Sequence, residues 1–120
     1  MKKAYVVCSV RNSDEDSKKE VYDFVKKLED DGWTVFNPHR DADQNCPTGY
    51  KIVMAELKAM KECDQVFAIW DVNSKGSHVD LGMAFMAEKP ITIVKLKHPD
   101  VPEKSYVKVI EEIKNKGYLK

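Results

Sequence analysis

Four short apolar runs punctuate this sequence at near-regular intervals: "AYVVCSV" (Ala4–Val10), "WTVF" (Trp33–Phe36), "QVFAIW" (Gln65–Trp70) and "ITIVKL" (Ile91–Leu96). Between them lie stretches of helical periodicity. This alternation constrains the fold more than any other feature. An unbroken apolar run suits a strand covered on both faces. Strands joined through helices are parallel, with right-handed crossovers. The expected architecture is therefore α/β: a single-domain three-layer sandwich, Rossmann- or flavodoxin-like. It has an open parallel sheet of four to five strands with helices on both faces.

The helical stretches carry their own punctuation. Ser17 followed by Glu20 fits a capping box, and Val21, Phe24, Val25 and Leu28 recur at helical spacing until Gly32. Tyr50–Lys61 reads as a second helix with Val53, Met54, Leu57 and Met60 on one side. His78–Glu88 reads as a third and Lys104–Lys116 as a last. The segment Asn37–Gly49 is a long loop, and long ordered loops in small domains are often functional. No repeat, low-complexity tract or linker interrupts the 120 residues, so residues 1–120 are expected to form one domain.

Lys plus Arg and Asp plus Glu both number 20, so the net charge is zero and nothing favours a nucleic-acid polymer or a membrane surface as partner. The first apolar run is too short to span a bilayer and lacks a signal-peptide cleavage region. Cys8, Cys46 and Cys63 are odd in number, widely spaced and free of any C-x-x-C pattern. A reduced, cytoplasmic protein with no metal and no cofactor is expected.

Open parallel sheets bind ligands at the carboxyl ends of their strands. The loops to examine follow Ser9, Phe36, Trp70 and Leu96. Arg11 stands at that end of the first strand, placed for a phosphate and equally readable as a surface residue. Ser9, Ser74 and Gly76 suit helix capping or a phosphate at a helix N-terminus. Asp80 suits the positive end of a helix dipole as well as it suits catalysis. Glu56, between Met54 and Leu57, fits a solvated helix face; Tyr5 fits the core; His39 fits a loop surface. No Walker loop, G-x-G-x-x-G or G-x-S-x-G is present.

Together, "YVVCSVRNSDED", "CDQVFAIWD" and "SKGSHVDLGMAFMAEKP" resemble the nucleoside 2-deoxyribosyltransferase superfamily over nearly the whole chain. Within it, the sequence is most similar to the 2'-deoxynucleoside 5'-monophosphate N-glycosidases. The family has a Gly-Ser-Ile-Arg-like turn, a Ser-x-Gly loop, Glu-Leu-Gly and Gly-Lys-Pro where this chain has "CSVR", "SKG", Asp80-Leu81-Gly82 and "EKP".

The resemblance implies a hydrolase that frees a base from a nucleoside 5'-monophosphate, or a deoxyribosyltransferase. A non-catalytic nucleotide sensor is the reading from another class. The resemblance implies that Asp80 is the sugar-facing carboxylate, that Glu56 assists at the leaving base, and that the Tyr5 hydroxyl touches the catalytic carboxylate. It also implies that Ser9, Arg11, Ser74 and Gly76 cradle the 5'-phosphate and that His39 lies beside the base. Ser105 would reach the phosphate site of a neighbouring subunit in a homodimer. The family pairs a glutamate at position 80 with an aspartate at position 56, so this chain carries the two lengths exchanged. Lys75 and His78 also replace small or apolar residues of the family loop, and they are expected to add positive charge or alter the substrate.

Overall fold

The computed structural model describes residues 2–9, 15–42, 45, 47–97 and 105–116. The strands are β1 (Lys3–Val7), β2 (Thr34–Phe36), β3 (Gln65–Asp71) and β4 (Ile91–Lys97). The helices are α1 (Glu15–Asp30), α2 (Pro38–Asp41), α3 (Tyr50–Glu62), α4 (Lys75–Met86) and α5 (Tyr106–Asn115). The sheet is wholly parallel, in the order β2-β1-β3-β4. The sequence's four apolar runs become its four strands.

Side chains alternate across β1 and build two cores. Tyr5 and Val7 face Met60 of α3, Leu81 and Ala84 of α4 and Ile110 of α5. Ala4, Val6 and Cys8 face Val21, Val25 and Leu28 of α1. Both faces are thus covered, as the unbroken run "AYVV" requires. From β1 the chain passes to β2 on one side and then to β3 on the other, so the strand order reverses at β1 and β3. Their carboxyl ends frame a crevice at this switch point.

Several sequence expectations are corrected by the packing. β1 stops at Val7 rather than Val10, and Cys8 and Ser9 turn into the crevice. Ser17 and Glu20 do not cap α1, because the helix already runs from Glu15. Instead Lys97 Nζ donates to Ser17 Oγ at 3.0 Å, while Lys95 and Lys97 pair with Glu20 at 2.6 and 3.0 Å. Two basic residues on the edge strand draw both groups toward β4. In α3, Met60 is buried but Val53 and Met54 are exposed, and Glu56 is buried instead. α4 begins at Lys75, three residues earlier than expected, with Ser74 Oγ accepting from Ser77 N–H at 3.3 Å. The long loop contains the short helix α2, held by Asn37 N–H donating to Asp41 Oδ2 at 2.9 Å.

The helix ends follow from backbone geometry. Gly32, at φ 99°, lets Trp33 N–H reach back to the Leu28 carbonyl at 3.0 Å. The end of α4 makes the same turn with Glu88, at φ 55°, and Lys89 N–H donates to the Ala84 carbonyl at 3.0 Å. Lys89 Nζ then donates to the Lys61 and Cys63 carbonyls at 3.1 and 2.9 Å, joining this turn to the end of α3. No helix among the described residues is long and apolar enough to cross a membrane.

Candidate active site

The crevice is a cleft of about 570 Å³. One wall is the inner face of α3, where Gly49, Ile52, Val53 and Glu56 recur at helical spacing. The opposite wall is the β3–α4 junction, with Asp71, Asn73, Ser74, Lys75, Gly76 and Asp80. Cys8 and Ser9 from the end of β1 and Pro38 and Thr48 from the β2–α3 connection complete the lining.

At the cleft floor three elements converge on one hydroxyl. Tyr5 Oη lies 3.2 Å from Glu56 Oε2 and 3.2 Å from Asp80 Oδ2. Tyr5 is 0%, Asp80 4% and Glu56 9% exposed, so little water reaches the trio. A tyrosine hydroxyl carries one proton. It can donate to only one carboxylate, and the other contact is a hydrogen bond only if that carboxyl is itself protonated. The structure therefore fits a carboxyl pair that shares a proton, because two buried like charges at this range repel strongly.

The electrostatics favour protonation of the pair. Burial, followed by the hydrogen bond to and the charge of Glu56, holds the Asp80 carboxyl well above the ordinary carboxylate range; the Tyr5 hydroxyl opposes this only in part. Asp80 Oδ1 has no hydrogen-bond partner among the described residues. Burial and the two carboxylates also drive Tyr5 far above the ordinary phenol range, so its hydroxyl keeps its proton. The Cys8 thiol is pushed up to about 12, first by burial and then by Asp80 and Glu56. It is therefore no nucleophile near neutrality, and it donates to Asn37 Oδ1 at 3.6 Å.

The structure brings Tyr5, Glu56, Asp80, Ser9, Ser74 and Gly76 together around one cleft. Ser74 Oγ is engaged as the α4 N-cap and accepts from Ser77 Oγ at 3.0 Å, so its own proton remains to be donated. Lys75 is exposed at the cleft mouth. His78 turns the other way: its ring nitrogen donates to the Ser74 carbonyl at 2.8 Å, and its ring meets Trp70 edge-on at 5.6 Å. Of these two residues, Lys75 lines the cleft. Ser105 caps α5, accepting from Lys108 N–H at 3.3 Å. His39 lies in α2 with its side chain outside the description, and Arg11 lies outside the described residues.

Sequence reasoning missed Asp71, Asn73, Cys8 and the α3 wall. Glu56 marked that wall, since positions three, four and seven residues before it must share its face. Asp71 Oδ1 accepts from Asn73 N–H at 2.9 Å, a local turn that shapes the cleft rim. The Asp64 of the "CDQVFAIWD" motif is structural, accepting from Lys3 N–H at 2.9 Å. Among the described residues no group of three or more His, Cys, Asp and Glu is placed to hold a metal ion.

Solved structures with a similar fold include CMP N-glycosidase BcmB of Clostridium botulinum, 25% identical, with a TM-score of 0.69 over 99% of this chain and 86% of that one. They also include a 2-deoxyribosyltransferase from Bacillus psychrosaccharolyticus, 22% identical, with a TM-score of 0.66 over 83% and 77% of the two chains. The chain has the nucleoside 2-deoxyribosyltransferase-like fold. A conserved protein from Enterococcus faecalis V583 is similar to it at 12% identity and a TM-score of 0.62, over 99% of this chain and 78% of that one. Neither a family model nor a curated protein sequence matches the chain. In this fold, the two acids sit on the helices after β2 and β3, and the hydroxyl between them sits on β1.

Proposed function

We propose that the chain is a hydrolase that cleaves the N-glycosidic bond of a nucleoside 5'-monophosphate, releasing free base and sugar 5-phosphate. The observation that carries this reading is the pair of buried carboxyls on the Tyr5 hydroxyl, at the floor of a cleft that opens beside the N-terminus of α4. N-glycoside cleavage needs two acids. As the C1'–N bond breaks, its electron pair leaves with the base, and positive charge builds on C1' and the ring oxygen. One carboxylate stabilises or traps that charge. A second carboxyl gives the base a proton, and a water molecule then supplies the hydroxyl at C1' and returns a proton to the pair.

The walls support a division of roles. Asp80 shares a helix face with Gly76, four residues before it, and so lies toward the Ser74–Gly76 loop and the proposed phosphate. Glu56 shares a face with Gly49, Ile52 and Val53, the wall proposed to flank the base. This supports the reading that Asp80 is the sugar-side acid and Glu56 the base-side acid. Ser9, Ser74, Gly76 and the α4 backbone amides, with Lys75 at the mouth, are the proposed phosphate cradle, and Arg11 is proposed to join it. The similarity to BcmB over nearly the whole chain supports a glycosidase. Similarity to a deoxyribosyltransferase supports the second reading, transfer of the sugar to another base. We further infer a homodimer, through the exposed apolar side chains Val53 and Met54 of α3 and Phe85 and Met86 of α4, with Ser105 near the partner's phosphate site.

Incubation with a panel of ribo- and deoxynucleoside monophosphates, with free base followed by chromatography, tests the proposal. Base release from at least one monophosphate is expected, with sugar 5-phosphate as co-product. Release only when a second base is added would mean transfer. Tight binding without any release would mean a sensing module.

A further inference from the structure

Burial favours a proton on the acid that the proposed chemistry needs ionised. The sugar-side Asp80 must be anionic when positive charge builds on C1', yet burial and Glu56 favour its protonated form. The base-side Glu56 must carry a proton when the base departs. Between them stands the Tyr5 hydroxyl, 3.2 Å from each and wholly buried.

We propose that Tyr5 is a proton relay between the two carboxyls. It turns a resting form with protonated Asp80 into a reacting form with protonated Glu56, without exchange with solvent. Two transfers occur together. The Asp80 Oδ2–H bond breaks as that proton reaches Tyr5 Oη, and the Tyr5 Oη–H bond breaks as its proton reaches Glu56 Oε2. The phenol is regenerated with its hydroxyl reversed, and the negative charge has moved from Glu56 to Asp80. The inference deepens the glycosidase reading and rests on it for the direction of transfer.

The driving force is the charge that appears during the reaction. At rest, a proton on Asp80 avoids two buried negative charges and spares the bound phosphate a repulsive neighbour. When C1' becomes cationic, it favours an anion at the sugar-side acid and displaces the proton toward the base side. The groups facing the hydroxyl allow this. Glu56 comes from α3 and Asp80 from α4, and Cys8 near the end of the Tyr5 strand stays protonated. Phe36 of β2, its ring centre 5.3 Å from that of Tyr5, brings no charge. Tyr5 acts through the two acids and is a positioning residue rather than a catalytic one.

The test uses carbon NMR of the whole protein with labelled Asp and Glu carboxyls, and as probe a hydroxylated pyrrolidine 5-phosphate whose ring nitrogen is cationic. In wild type at constant pH, binding should move the Asp80 carboxyl signal to its ionised position and the Glu56 signal to its protonated position. Calorimetry in two buffers should show no net proton exchange. In Tyr5→Phe the paired movement should be lost, and turnover should fall about 100-fold with KM nearly unchanged. A Glu56 signal that stays fixed in wild type, or a paired movement that survives in Tyr5→Phe, overturns the relay. The wild-type measurement stands even if Tyr5→Phe does not fold. Should the probe not bind at millimolar concentration and no monophosphate release base, the glycosidase reading itself falls. If monophosphates are hydrolysed while the two signals never exchange, only the relay falls.

Discussion

Asp80→Asn removes a buried titrating proton while keeping the shape of the side chain. In the unfolded chain an aspartate ionises near pH ~3.9. In the folded protein burial and Glu56 hold Asp80 far above that value. Between the two, the native state binds one more proton than the unfolded state, so stability falls as pH rises, by about 1.4 kcal/mol per pH unit. Across pH 5 to 8 the ceiling is about 4 kcal/mol. Relaxation around the pair reduces this to an expected 1–3 kcal/mol, roughly the range of other buried-charge effects. Asparagine mimics the protonated acid and carries no such slope. The variant should therefore gain stability relative to wild type as pH rises, by at least about 1 kcal/mol from pH 5 to pH 8, while base release collapses. Urea unfolding across this range, at fixed ionic strength, measures it. A stability difference that stays constant with pH would refute the shared buried proton. A fold that becomes more stable as its chemistry is lost is the pattern expected of a strained active site.

Glu88→Gly should stabilise the fold by about 0.5–1 kcal/mol in chemical unfolding, because Glu88 occupies a left-handed turn at φ 55° that glycine adopts without steric cost; a loss of stability would contradict this. Lys75→Ala should weaken a nucleoside monophosphate about 10-fold by calorimetry and leave the matched nucleoside unchanged, as expected for a charge-assisted contact at the cleft mouth. Equal losses for both ligands would remove Lys75 from the phosphate site. The double change Asp80→Glu with Glu56→Asp should release base faster than either single change, since one methylene too many or too few misplaces reacting atoms on the scale of ~1 Å; additive losses would argue against exchanged lengths. Phe85→Glu, on the exposed face of α4, should shift a dimer to monomer in light scattering, and an unchanged mass would place the contact elsewhere.

The sequence by itself determined the layered α/β architecture. Its runs "AYVV" and "QVFAIW" have no polar side because the central strands β1 and β3 are covered on both faces, while the edge strands β2 and β4 are partly exposed. The same alternation fixed parallel pairing and sent the site to the carboxyl ends. Periodicity also made Gly32 a helix stop, through a φ that favours glycine. It failed where a residue's environment is set by other elements. Glu56 sits between Met54 and Leu57 and reads as solvated, but α3 turns that face toward β1 and α4 and leaves Met54 exposed instead. Ser17 and Glu20 match a capping box, but Lys95 and Lys97, more than seventy residues away in sequence, pair with them. His78 reads as a residue of the loop after Ser74, but it lies inside α4, with its ring edge-on to Trp70. Local pattern reports a side chain's phase within its own element. Burial, shared protons and ion pairs depend on which element arrives opposite, and in a parallel sheet that partner is always distant in sequence.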